Sequence, residues 1–215
     1  MKKFPASRRF FKLSSFTLVE LLVVIGIIAI LASVILSAGN MALKAAMRAK
    51  AANLATQIQT AGVSYYTEYS VYPVPSGTVA DYTIADTDQA DWKILIDALC
   101  GNVSPSTGAT NAASTIANTR GIAFLSLNAS AVSGDAPLNP LPTGGELYFN
   151  IAFDSDYDGI LGVSPSGVTT LPNFAAGTQT SLSMTGGHST AGVAVWANCN
   201  GSTKTTNANY WVHTY

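Results

Sequence analysis

Residues 16–38, FTLVELLVVIGIIAILASVILSA, form an almost unbroken hydrocarbon block that carries one carboxylate, Glu20. A helix rises about 1.5 Å per residue, so roughly 20 residues cross a bilayer's hydrocarbon core of about 30 Å. Phe16 to Ala38 is long enough for that. The apolar region of a secretory signal is shorter, about 7–15 residues, and ends at small residues. The block therefore reads as a transmembrane helix.

Charge is distributed around this block unevenly. Lys2, Lys3, Arg8, Arg9 and Lys12 precede Phe16 with no acid among them. Such a leader stays cytoplasmic by the positive-inside bias, which puts the rest of the chain across the membrane. All 12 acids lie at or after Glu20, and beyond Lys50 three bases face 11 acids, a side-chain balance of −8. A surface of that sign repels polyphosphate and attracts cations, which argues against a nucleic-acid partner.

No proline stands between Pro5 and Pro73. Past the block, Leu43, Met47, Leu54, Ile58, Tyr65 and Tyr69 recur at spacings of 4, 7, 4, 7 and 4. An 11-residue repeat is about 3.67 residues per turn, which holds these side chains on one helical face. The spacing predicts a single helix over 16–72, apolar all round in its first part and amphipathic in its second, ended by Pro73 and Pro75. Gly26, Gly39 and Gly62 weaken it locally. Residues 73–215 have another texture, rich in Gly, Ser, Thr, Asn and Ala. DWKILIDAL (91–99) predicts a short helix, and 101–119 an uncharged loop. ELYFNIAF (146–153) alternates as a half-buried strand, with GVAVWA (192–197) and NYWVHT (209–214) as further strands. The fold class is α+β: a long N-terminal helix packed on a small antiparallel sheet with long loops. The expected organisation is a leader over 1–15, the long helix over 16–72 and a globular domain over 73–215.

Few residues carry chemistry. A carboxylate within hydrocarbon is costly and usually partnered, yet the block holds no Lys, Arg or His. Glu20 has two readings. It pairs with the α-amino group of a chain cut just before Phe16, its own or a neighbour's. Or it sits shallow, near the headgroups, and complements the helix dipole. Asp154, Asp156 and Asp158 alternate before Gly159 in FDSDYDGIL (153–161), the opening of a calcium loop. The twelfth position is Pro165 rather than glutamate, so further ligands must be carbonyls, water or distant acids such as Asp135 or Glu146. The alternative is a solvated acidic turn. Cys100 and Cys199 fit no metal spacing; on the oxidising side of a membrane they form either a disulfide or two buried thiols. His188 and His213 are isolated, and Trp92, Trp196 and Trp211 read as core. No catalytic motif is present, so no enzyme is expected.

SFTLVELLVVI (15–25) resembles the cleavage site of type IV pilins and type II secretion pseudopilins. It follows a short basic leader, with phenylalanine, then glutamate four residues later, in an apolar helix. The resemblance implies a cut between Ser15 and Phe16 by a prepilin peptidase, N-methylation of Phe16, and a role for Glu20 in assembly. YYTEYSVYP (65–73) is similar to the Tyr-rich end of the pseudopilin helix. Ser15 stands where the family usually has glycine, and Ser37 where many members have proline. The strict motif covers residues 15–25 and the looser likeness the first third of the chain. The implied protein is a structural subunit of a type II secretion filament, single-pass in the inner membrane with its C-terminal domain periplasmic. Its partners are other pseudopilins, the peptidase and an inner-membrane assembly platform. An adhesive or motility pilus subunit, or a membrane-anchored binding domain, are the alternatives. Family members use calcium near the C-terminus, where this chain has Asn198, Asn200 and Asn209; binding at 154–159 would replace that site.

Overall fold

The computed structural model describes residues 16–111, 115–140, 148–161, 190–198 and 211–214. The leader over 1–15, Glu146, His188 and Cys199 lie outside the described residues. The chain divides into two compact units, 1–43 and 44–215. The fold is α+β, as the sequence predicts.

Helix α1 runs Leu18–Tyr69, 52 residues without a break. Among the described residues it is the one helix long and apolar enough to cross a membrane. In the first unit every large apolar side chain described, from Phe16 through Leu43, is exposed. In the second unit the helix buries one face. Leu54, Ile58 and Tyr65 are buried, Met47 and Tyr69 half-buried, while Leu43 from the same repeat is exposed. Ala51, Ala55 and Ala61 are buried too, so the contact face uses small residues as well as large ones. The helix ends three residues before the expected Tyr72. Ser70 takes a left-handed conformation (φ 56°) and donates its N–H to Tyr66 O at 2.7 Å, a helix stop that precedes the prolines.

The main sheet is antiparallel, in the order β1 (Tyr82–Ile84), β4 (Asn150–Phe153), β5 (Val193–Asn198), β6 (Trp211–His213). A second, two-stranded sheet pairs β2 (Val132–Ser133) with β3 (Ala136–Pro137). Helix α2 (Gln89–Leu99) supplies Trp92, Leu95, Ile96 and Leu99 to the same core as α1 and the sheet. Trp92 Nε1–H donates to Phe149 O at 2.8 Å, so its one polar atom is satisfied inside that core. Gly62 lets α1 approach the sheet closely: a Cβ there would stand 3.2 Å from Phe153 Cε1. Gln59 Nε2 reaches across to Val193 O at 2.8 Å.

The described part of the 146–153 segment, from 148 on, departs from the expected half-buried strand. Asn150, Ile151, Ala152 and Phe153 are all buried. The polar member of the supposed wet face is covered because Asp86 N–H donates to Asn150 Oδ1 at 3.0 Å, bringing the β1–α2 connection over it. Strand β5 is likewise buried from Val193 to Ala197.

A charged cluster ties α2 to the β2–β3 hairpin. Gly134 (φ 55°) and Asp135 (φ 68°) form its two-residue turn, both left-handed, the backbone that matches strand twist. Asp135 is buried and accepts from Lys93 Nζ at 2.6 Å, from Ser104 Oγ at 2.8 Å and from Ser106 N–H at 2.9 Å. Lys93 also donates to buried Asp97, one helical turn on, at 3.0 Å. Burial alone would push the Asp135 carboxyl up; the bonds from Lys93, Ser106 and Ser104 outweigh it and hold it at about 2, below its ordinary 3.8. A depressed carboxyl stabilises the fold above its unfolded value and loses that contribution as pH falls toward its folded one. Urea unfolding followed with pH is expected to show stability dropping between about pH 4 and pH 2. Asp135→Asn should flatten that slope and cost about 1–3 kcal/mol at neutral pH.

Candidate functional site

Two places gather the residues that the sequence singles out. The first is the start of α1. Glu20 lies in its first turn. Its Oε2 accepts from Thr17 N–H at 2.9 Å and from Thr17 Oγ1–H at 2.8 Å. Thr17 Oγ1 in turn accepts from Glu20 N–H at 3.3 Å. This is a reciprocal cap, Thr-x-x-Glu, which satisfies backbone donors that a helix start otherwise leaves open. The spacing T17–L–V–E20 carries that signal in the sequence. The arrangement caps the helix start, and it uses only one carboxylate oxygen. Ser15 lies outside the described residues, and Phe16 immediately precedes the cap with its ring exposed.

The second place is the acidic loop after β4. Strand β1 pairs with β4 so that Tyr82 lies opposite Phe153. One step along that register brings Asp81 opposite Asp154. Ser155 Oγ–H donates to Ala80 O at 2.5 Å and fastens the loop to the same segment. The carboxylate oxygens of Asp81, Asp154 and Asp156 lie within 4.8 Å of one another. Asp81, not Asp158, is the third member of this group. Asp158 instead accepts from Ile160 N–H through Oδ1 at 2.7 Å, an Asx turn that shapes the loop. Asp135, offered by the sequence as a distant ligand, is held by Lys93 elsewhere. The sequence could not rank Asp81, because its place depends on a three-residue strand with no clear period.

Asp154 is the centre of the group and only 7% exposed. Its Oδ2 accepts from Gly159 N–H at 3.2 Å. Gly159 has φ 79°, a turn that glycine makes without strain and that folds the loop back over the carboxylate. Its Oδ1 is buried with no hydrogen-bond partner among the described residues. Burial, and then the neighbouring Asp156 and Asp158, raise the Asp154 carboxyl against the opposing Gly159 bond. Like charges directly across strands repel, and an orphaned buried oxygen costs desolvation. A hard cation taking carboxylate oxygens would relieve both. The donor set, three convergent carboxylates, fits such an ion.

The other singled-out residues do not join either place. Cys100 is half-buried and its thiol is pushed up to about 11, chiefly by burial; its proposed partner Cys199 lies outside the described residues. Trp92 and Trp196 are core, as expected, and His213 is exposed.

No protein-family model matches the sequence, and no curated protein or solved structure matches it either.

Proposed function

We propose that this chain is a type IV pilin-like filament subunit, of the pseudopilin kind that serves type II protein secretion. The observation that carries the reading is α1: one 52-residue helix, exposed and apolar from Phe16 to Leu43, beginning at a Thr17–Glu20 reciprocal cap. The resemblance of SFTLVELLVVI supports the same reading. In this account the leader docks in the cytoplasm and the first part of α1 waits in the inner membrane. Cleavage before Phe16 creates a cation on the residue that immediately precedes the cap. Glu20 Oε1, the oxygen the cap leaves over, is the acceptor for that amine or for a neighbour's. Once an assembly ATPase draws the helices out of lipid, each Å² of apolar surface they bury against one another contributes about 25 cal/mol. The work is mechanical and needs no catalytic residue.

Substituting Glu20→Ala separates insertion from assembly. The variant is expected to insert in the membrane and to be processed, yet to be missing from sheared filaments, in cells that carry the assembly machinery. Normal incorporation of Glu20→Ala would contradict the reading.

Calcium is the cation assigned to the acidic loop, held by Asp81, Asp154 and Asp156. When bound it supplies charge neutralisation that links β1 to the loop after β4. Calcium at about a hundredfold excess over its Kd should stabilise the protein by about 2.7 kcal/mol in thermal unfolding. Asp154→Asn and Asp81→Asn should remove the effect, and Asp158→Asn should leave most of it. Loss with Asp158→Asn alone would return the site to the alternating triplet.

A further inference from the structure

We infer that the cleft between the end of α1 and the acidic loop is a binding site for a neutral saccharide. The cleft has a volume of about 410 Å³. Four tyrosines wall it: Tyr65, Tyr69, Tyr72 and Tyr157. Ser76, Thr78, Thr119 and Ser155 line the same space. None of the residues that line it is charged at neutral pH.

The rings are fixed before any ligand arrives. Tyr65 Oη–H donates to Ala117 O at 2.7 Å, and Tyr69 Oη–H to Asn118 Oδ1 at 2.7 Å. Tyr72 stacks on Tyr157 with ring centroids 5.7 Å apart and planes 17° from parallel, and on Tyr66 at 4.6 Å and 21°. Tyr157 Oη accepts from Tyr72 N–H at 3.3 Å. Gly192 makes room for this stack, since any Cβ there would collide with the Tyr72 hydroxyl. The outer ring, Tyr157, is nevertheless 49% exposed.

Two non-glycine residues in left-handed backbone flank the cleft. Ser70 (φ 56°) turns the chain so that Val71–Thr78 form one rim, and Tyr157 (φ 60°) presents its ring from the other. Conformations of that kind persist only where the surroundings enforce them, and they concentrate at binding sites.

The chemistry selects the ligand class. A pyranose offers a flat C–H face and hydroxyls that both donate and accept. Stacked tyrosines supply the complementary face; the Thr78 and Ser155 hydroxyls, which already donate to Pro75 O and Ala80 O, supply acceptors, and the Ser76 and Thr119 hydroxyls supply both donors and acceptors. An uncharged lining offers nothing to a phosphate, a carboxylate or an amine. The volume falls in the range of small-molecule pockets, about 300–1,000 Å³, and is enough for one or two sugar rings. A proline-rich peptide also favours tyrosines, but it needs a long shallow groove rather than a cleft.

The test uses the full-length protein in an amine-oxide detergent, which has no sugar headgroup. Maltose, cellobiose and N,N′-diacetylchitobiose are titrated while saturation-transfer NMR from the tyrosine rings is recorded. At least one sugar should bind saturably, with a Kd of about 1–10 mM, and receive saturation on its C–H face. Tyr157→Ala should weaken it by at least about tenfold, and Tyr157→Phe by less than about threefold. Thr119→Leu, which fills the cleft and keeps every aromatic ring, should also abolish binding. Failure of all three sugars to saturate, or unchanged affinity in both Tyr157→Ala and Thr119→Leu, would overturn the inference. Saturation transfer to a proline decamer instead of the sugars would overturn it equally. None of these outcomes depends on filament assembly or on calcium.

Discussion

One helix is apolar all round and exposed in its first part and buries one face in its second, and the rest of the molecule follows from that. A backbone in hydrocarbon must close its own hydrogen bonds, which leaves helix as the only conformation for a single apolar span. The weak point is the first turn, where donors have no partner. Thr17 and Glu20 close it reciprocally, so the carboxylate in the apolar block is hydrogen-bonded to the chain's own donors rather than bare. Between Ala51 and Tyr65 the same helix presents alanines and one glycine between its large residues. The sheet can then approach until Gly62 meets Phe153 and Val193. That approach orders the sheet, and the sheet's register sets the acidic loop.

The acidic loop depends on strand pairing rather than on its own sequence. Asp154, Asp156 and Asp158 alternate along the chain, but only two of them turn toward Asp81. The β1–β4 register and the Ser155 bond to Ala80 bring in the third acid. Across the same loop, Tyr157 completes the aromatic stack. A single turn therefore serves two faces, one anionic and one neutral.

What was legible in the sequence was what is long or strongly periodic. The helix, its amphipathic second part, α2 and strands β4 to β6 all follow from period and proline spacing. Four things were not legible. Strand β1 is three residues, too short for a period, and Asp81 went unnoticed with it. The β2–β3 hairpin shows only Gly134-Asp135 in the sequence, and nothing there says that Asp135 is paired with Lys93. The alternation in 146–153 was real, but alternation reports side-chain direction and not what covers each face; Asn150 is buried because a neighbouring turn lies over it. The helix stop at Ser70 (φ 56°) is not legible either, since serine rarely takes left-handed backbone.

The central claim is that the chain is cut to begin at Phe16. The direct measurement is the intact mass and N-terminal sequence of the protein made in cells with and without a prepilin peptidase. The account predicts a peptidase-dependent N-terminus at N-methylated Phe16. A chain that still begins at Met1 in the presence of the peptidase, or is cut elsewhere, would contradict it and leave Glu20 as a helix cap in an anchored binding protein.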